Sequence, residues 1–134
     1  MENRIFHVSA TEANEVKSNV QHDNTTFLVE IDGTFISNVA EYLSCISELY
    51  TFPIPSRGLD GYYDWMRDLD WLEKERYILI IHNYMSFLKD DPSQKKVIMD
   101  GFIDIILPWW ESEIEQCVVG GKAKPFNIYI TDRL

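Results

Sequence analysis

Cysteine is scarce in this chain: Cys45 and Cys117 are the whole supply. Two thiols cannot build the disulfide framework of a small secreted scaffold. Their spacing from each other and from His7, His22 and His82 fits no zinc pattern. Reduced, partly buried thiols are expected. Bases are few as well, with 12 Lys and Arg against 22 Asp and Glu, a formal net charge of −10. A surface of that sign is repelled by nucleic-acid backbone and anionic membrane and attracts basic proteins. No apolar run approaches the ~20 residues of a membrane span. The N-terminus MENRIFHVSATEANEVKSN lacks the apolar core of a signal peptide, so a cytoplasmic protein is expected. Gly-rich phosphate loops, HExxH and GxSxG are missing too. His82 falls where α/β active sites often lie, yet a lone histidine there reads better as a strand-terminal hydrogen-bonding residue. No catalytic constellation can be assembled, and neither enzyme activity nor a cofactor is expected.

What is present is globular material. The 134 residues, 46% hydrophobic and 13% aromatic, suit one domain with a real core. Ile5 to Val8 reads as a possible edge strand and TEANEVKSNV as a possible short helix; carrying no motif, residues 1–25 are taken as an N-terminal extension. Thr26 to Ile31 is a β-rich apolar run stopped by the turn dipeptide Asp32-Gly33. Val39, Ala40, Leu43, Ile46 and Tyr50 follow at helical spacing, with Ser37 as candidate N-cap. TFPIPSRG, at 51–58, is a loop. Arg76 to Ile81 suits a strand covered on both faces. Asp90-Asp91-Pro92-Ser93 makes a helix start with Pro92 near the first turn, and Val97, Ile98, Phe102, Ile105 and Ile106 form the buried stripe. A kink or fresh start is expected at Pro108, because proline inside a helix costs about 3 kcal/mol. Pro125 to Ile130 alternates as a last strand. Strands separated by helices predict a small parallel α/β sheet.

One stretch stands apart, GLDGYYDWMRDLDW from Gly58 to Trp71. Asp60, Asp64 and Asp68 recur every fourth residue, which places three carboxylates on one face of a helix. At that spacing they repel by roughly 0.2–0.5 kcal/mol per pair. Only Arg67 offsets them within the run. Tyr62, Tyr63 and Trp65 are interleaved, and aromatics beside unpaired acids suit a cationic partner. The plain alternative is a solvated face whose aromatics turn into the core. Gly61 inside the helix costs about 1 kcal/mol relative to alanine and marks either close packing or a loosened first turn. A calcium or magnesium site on the three acids is disfavoured, since carboxylates on one straight helix converge poorly and no EF-hand spacing is present.

Gly58-Leu59-Asp60-Gly61-Tyr62-Tyr63-Asp64 resembles the N-L-D-A-L-W-D signature of the barstar family, intracellular inhibitors of barnase-like ribonucleases. Ile31-Asp32-Gly33 is similar to the family's I-N-G turn, and Ile78 to Ile81 and Asn127 to Ile130 fall where the family has its second and third strands. The resemblance runs from about Thr26 to the C-terminus, giving a barstar-like domain over 26–134. It implies an α/β fold with a three-stranded parallel sheet packed against helices. It also implies that the second family helix and the loop before it, including Gly58 and Leu59, plug a ribonuclease active site. Asp60 and Asp64 match the family's two inhibitory aspartates, and Tyr63 stands where the family usually has tryptophan, as an aromatic anchor. Asp68 is added from its spacing alone. A carboxylate mimics phosphate well for a guanidinium fork. Gly58 replaces the family's asparagine, and Arg57 puts a cation on a surface that would meet a basic enzyme.

The implied partner is a basic ribonuclease or related toxin, bound by a chain that is monomeric when free. The alternative is an acidic protein–protein interaction module on the same fold, with a non-nuclease partner and Trp109-Trp110 as an exposed patch. Large aromatics after a proline more often pack against a neighbouring helix.

Overall fold

A computed structural model describes residues 1–132. Four parallel strands form one sheet in the order β1-β4-β3-β2, where β1 is Ile5–His7, β2 Thr26–Asp32, β3 Arg76–His82 and β4 Phe126–Thr131. The sheet is thus one strand wider than the three-stranded expectation. The extra strand comes from the first 25 residues: Ile5 pairs with Ile128 and His7 with Ile130. Helix α1 (Ala10–Val20) then crosses to the far edge of the sheet and β2. Its start is fixed by a full capping box, Ser9 Oγ accepting from the Glu12 amide and Glu12 reaching back to the Ser9 amide.

The near-continuous apolar run of β3 has the physical cause expected for a strand covered twice. Ile78 and Ile80 face α1 with Ala13 and Val20. Tyr77, Leu79 and Ile81 face the main core, shared with α2 (Val39–Leu49), α3 (Leu59–Met66) and α4 (Pro92–Gly101). Helix α2 is capped by Asn38 rather than Ser37. The Asn38 side chain accepts from the Glu41 amide, and the Ser37 amide is taken instead by the Glu41 carboxylate. After β2, Gly33 leads a tight 3-10 turn against Asn83 and Phe87, and a Cβ at Gly33 would collide with both.

No break occurs at Pro108. Helical backbone runs unbroken from Pro92 to Cys117, with wide π turns at Phe102–Ile106 and Trp109–Glu113 on either side of the proline and α5 (Ile114–Cys117) at the end. Leu107 N–H bonds to the Phe102 carbonyl and Ile114 N–H to the Trp109 carbonyl, both one residue further back than in an α-helix. The wider turns take up the proline ring and missing donor that would break a tight α turn. The N-terminal segment is tied to this rod by Asn3. Its side chain donates to the Leu107 and Lys124 carbonyls and accepts from Phe126 N–H. On the α1 face, Glu30 bonds Lys17 at 2.9 Å and His82 at 3.0 Å. His82 is thereby a strand-terminal hydrogen-bonding residue. No helix among the described residues is long and apolar enough to cross a membrane.

Asn3→Ala is expected to cost about 1–3 kcal/mol, because three backbone groups lose their partner at once. Urea denaturation checks it; an unchanged midpoint would mean that the N-terminal strand is not held there. Burial pushes the Glu30 carboxyl up, but the bonds from Lys17 and His82 outweigh it and leave it below its ordinary 4.5. A lowered folded value stabilises above the unfolded value, so this contribution is present at neutral pH and disappears as pH falls below 4.5. Glu30→Gln is expected to flatten the acid limb of the stability–pH curve, and an identical limb would show that the cluster contributes nothing.

Candidate functional site: the acidic helix and its supports

Eight residues are too few for a helix to persist alone in water, so α3 depends on what it packs against. Tyr62 and Met66, one helical turn apart, are fully buried. The Tyr62 hydroxyl lies 2.6 Å from that of Tyr42 on α2, with the rings edge-on. Burial raises the pKa of both phenols, Tyr42 and Tyr62, so the pair is neutral, one hydroxyl donating to the other. At the far end, the buried indole N–H of Trp110 donates to the Met66 carbonyl at 2.8 Å. This satisfies a carbonyl that the end of the helix leaves without an intrahelical partner.

The preceding loop is pinned as firmly. Phe52 is buried against Tyr50, Trp65 and Trp71. The Ser56 amide donates to Ser47 Oγ at 3.0 Å. Gly61 explains itself here: a Cβ would sit 3.3 Å from Ser56 Oγ, so glycine lets the loop close onto the first turn of α3. Gly58 is the N-cap, in extended backbone with open space around its Cα and no side-chain cap.

Asp60 and Asp64 are exposed and point away from the core. Asp60 lies in the first turn, where the helix dipole favours it, and forms no ion pair among the described residues. Asp64 is 75% exposed, with Arg67 Nη2 at 3.4 Å. Solvated pairs of that kind contribute roughly 0–1 kcal/mol. Arg67 is engaged elsewhere too, donating from Nε to the Tyr63 carbonyl and lying over the Trp109 ring. It shields Asp64 only partly.

The third acid departs from the expected face. α3 ends at Met66 with Arg67 as C-cap, and Asp68 lies on the following turn, accepting from the Asp70 amide. The spacing of Asp60, Asp64 and Asp68 fits a helix, but Leu69 at φ +56° takes the chain out of one. Among the described residues no three acidic, histidine or cysteine side chains converge as a metal site. Leu59 is half-buried against the core, and Tyr63 lies across Gly101 of α4, where a Cβ would overlap its hydroxyl. Burial raises the Tyr63 pKa, consistent with a ring turned partly inward. Trp110 is buried and Trp109 half-buried under Arg67, so the tandem tryptophans form no open patch. Sequence reasoning missed Trp110 as the support of α3; a tryptophan after a proline carries no signal of what it will cap.

Residues 26–121 match the family described as Barstar (barnase inhibitor). The chain belongs to the barstar family. The match ends before β4 and begins after α1, so both lie outside it. No curated protein matches the chain. Among solved structures, it is similar to the Aeropyrum pernix ORC2 protein in its ADP form, at 15% identity and TM-score 0.54, covering 97% of this chain and 35% of that one. The ADPNP-ADP complexes of the same protein align at 14% identity and TM-score 0.50, covering 96% and 34%. This barstar-family chain spans about a third of those proteins, and at such identity the likeness is one of fold.

Tyr62→Phe is expected to lower stability by about 1–3 kcal/mol, since it strands the buried Tyr42 hydroxyl. Guanidinium unfolding monitored by tryptophan fluorescence measures it, and a loss below a few tenths would show that the phenol pair does not anchor α3.

Proposed function

We propose that this chain is a protein inhibitor of a basic ribonuclease or related toxin, occluding the enzyme's active site with α3 and the loop before it. One observation carries the reading: two solvent-facing carboxylates, Asp60 and Asp64, stand on a short helix whose opposite face is fixed by buried tyrosine and tryptophan contacts. Family membership supports it, because barstar-family proteins are inhibitors rather than enzymes. A carboxylate entering a pocket of arginine, lysine and histidine replaces a substrate phosphate with charge-assisted bonds. Preorganisation lowers the cost, since the backbone carrying the acids need not be ordered on binding.

In this reading Asp64 is the central contact, Asp60 its neighbour, and Gly58, Leu59 and Tyr63 form the rim. Asp68 contributes from the turn beyond. Residues 26–134 carry the inhibitory function, with 1–25 as an N-terminal extension, and the inhibitor acts as a cytoplasmic monomer. Arg67 must swing away from Asp64 or share it, a small cost for an exposed pair. Nucleotide binding is not part of the proposal, because the chain has no Gly-rich phosphate loop.

The experiment titrates a small basic secreted ribonuclease of the barnase type with wild-type, Asp64→Ala and Asp68→Ala chains, reading RNA cleavage. Asp64→Ala is expected to weaken inhibition by at least about 2 kcal/mol, roughly thirtyfold in Kd, as for a hot-spot aspartate of the kind known from the barstar complex itself. Asp68→Ala is expected to cost under about 1 kcal/mol, as for an exposed charge at a rim. Binding should weaken as salt rises. Equal, small effects of both substitutions, with circular dichroism unchanged, would remove the proposed site and favour the acidic module.

A further inference from the structure

Strand β2 is an open edge of the sheet. Arg76 N–H donates to the Thr25 carbonyl at 3.2 Å, with Thr26 opposite Arg76 in parallel register. That pattern turns the backbone groups of Phe27, Val29 and Ile31 toward β3. Those of Leu28 and Glu30 face the unpaired side. Such an edge is a template for another strand unless proline, a bulge or lysine blunts it. β2 has neither proline nor lysine and keeps register with β3 over all 7 of its residues.

A groove of about 640 Å³ runs between this edge and α2. Phe35, 76% exposed, and Leu49 give it an apolar border. Glu30, Asp32, Glu41 and Glu48 line it, and among the described residues no lysine or arginine does. The Glu30 carboxylate is taken up on the α1 face by Lys17 and His82, and that of Asp32 accepts from Asn83 and the Thr34 amide. Glu41 and Glu48, on the α2 wall, have no ion pair among the described residues.

We propose that the β2 edge and this groove bind an extended segment of a partner protein bearing lysine or arginine, which joins the sheet as a fifth strand. The Leu28 and Glu30 backbone groups supply main-chain bonds, Phe35 and Leu49 receive an apolar side chain, and the carboxylates select for cations. A second copy of the chain is the wrong occupant, because edge-to-edge pairing would set these carboxylates against each other on molecules each of charge −10. None of the groove residues belongs to α3, so the two proposed surfaces share no residue.

The probe is a peptide of alternating lysine and valine, added to the full isotope-labelled chain and followed by amide NMR. Binding is expected with the Leu28 and Glu30 amides shifting and slowing in hydrogen exchange. A glutamate–valine peptide, or a lysine–valine peptide N-methylated at alternate residues, is expected not to bind. Glu48→Lys with Glu41→Gln, which keeps an acceptor for the Ser37 amide, is expected to weaken the lysine peptide about tenfold, while Asp64→Ala leaves it unchanged. Equal binding of the N-methylated peptide, or no change at Leu28 and Glu30, would overturn the proposal. So would a dimer in sedimentation with those two amides already protected.

Discussion

The free energy that keeps α3 folded comes from beneath it. Two turns of helix with aspartates on the outer face have no intrinsic stability to spare, and the repulsion between Asp60 and Asp64 works against them. Burial of Tyr62 and Met66, the hydroxyl pair with Tyr42 and the indole bond to the Met66 carbonyl offset that deficit. The arrangement separates two jobs that usually compete. The inner face supplies stability through apolar area and satisfied polar groups, so the outer face is free to carry uncompensated charge.

Support for α3 reaches across the molecule through the long helical rod. Trp110 sits within the second π turn, just after Pro108, and its indole reaches α3 from there while its ring packs on Tyr77 of β3. Gly101, in the same rod, is the flat spot over which Tyr63 lies. The sheet, the rod and the acidic helix therefore meet in one set of contacts. A change in the register of the rod would be felt at Asp64.

The charge of the protein is organised rather than spread. Arg67, the cation paired with Asp64, is held on Trp109 and the Tyr63 carbonyl, so its hold on Asp64 is loose. Where an acid is drawn into a structural role, it has a close partner, as Glu30 has in Lys17 and His82. The chain thus distinguishes acids that hold the fold together from acids left to solvent. The difference lies in which of them a buried or half-buried neighbour can reach.

The sequence by itself determined the alternation of strands and helices, the parallel sheet, the start of α4 at Pro92 and the acidic segment, because these follow from periodicity, capping chemistry and composition. The family signature was legible at Gly58 to Asp64, since backbone and side-chain needs coincide there over a few consecutive residues. Only the tertiary structure decided that Ile5–His7 is a fourth strand, for three residues carry too little pattern to announce a partner 123 positions away. Only packing decided that Asp68 leaves the helix, that Asn38 outcompetes Ser37 as cap, and that the rod widens at Pro108 instead of breaking. Each of those outcomes is a choice between local options of similar energy, and contacts distant in sequence tipped it.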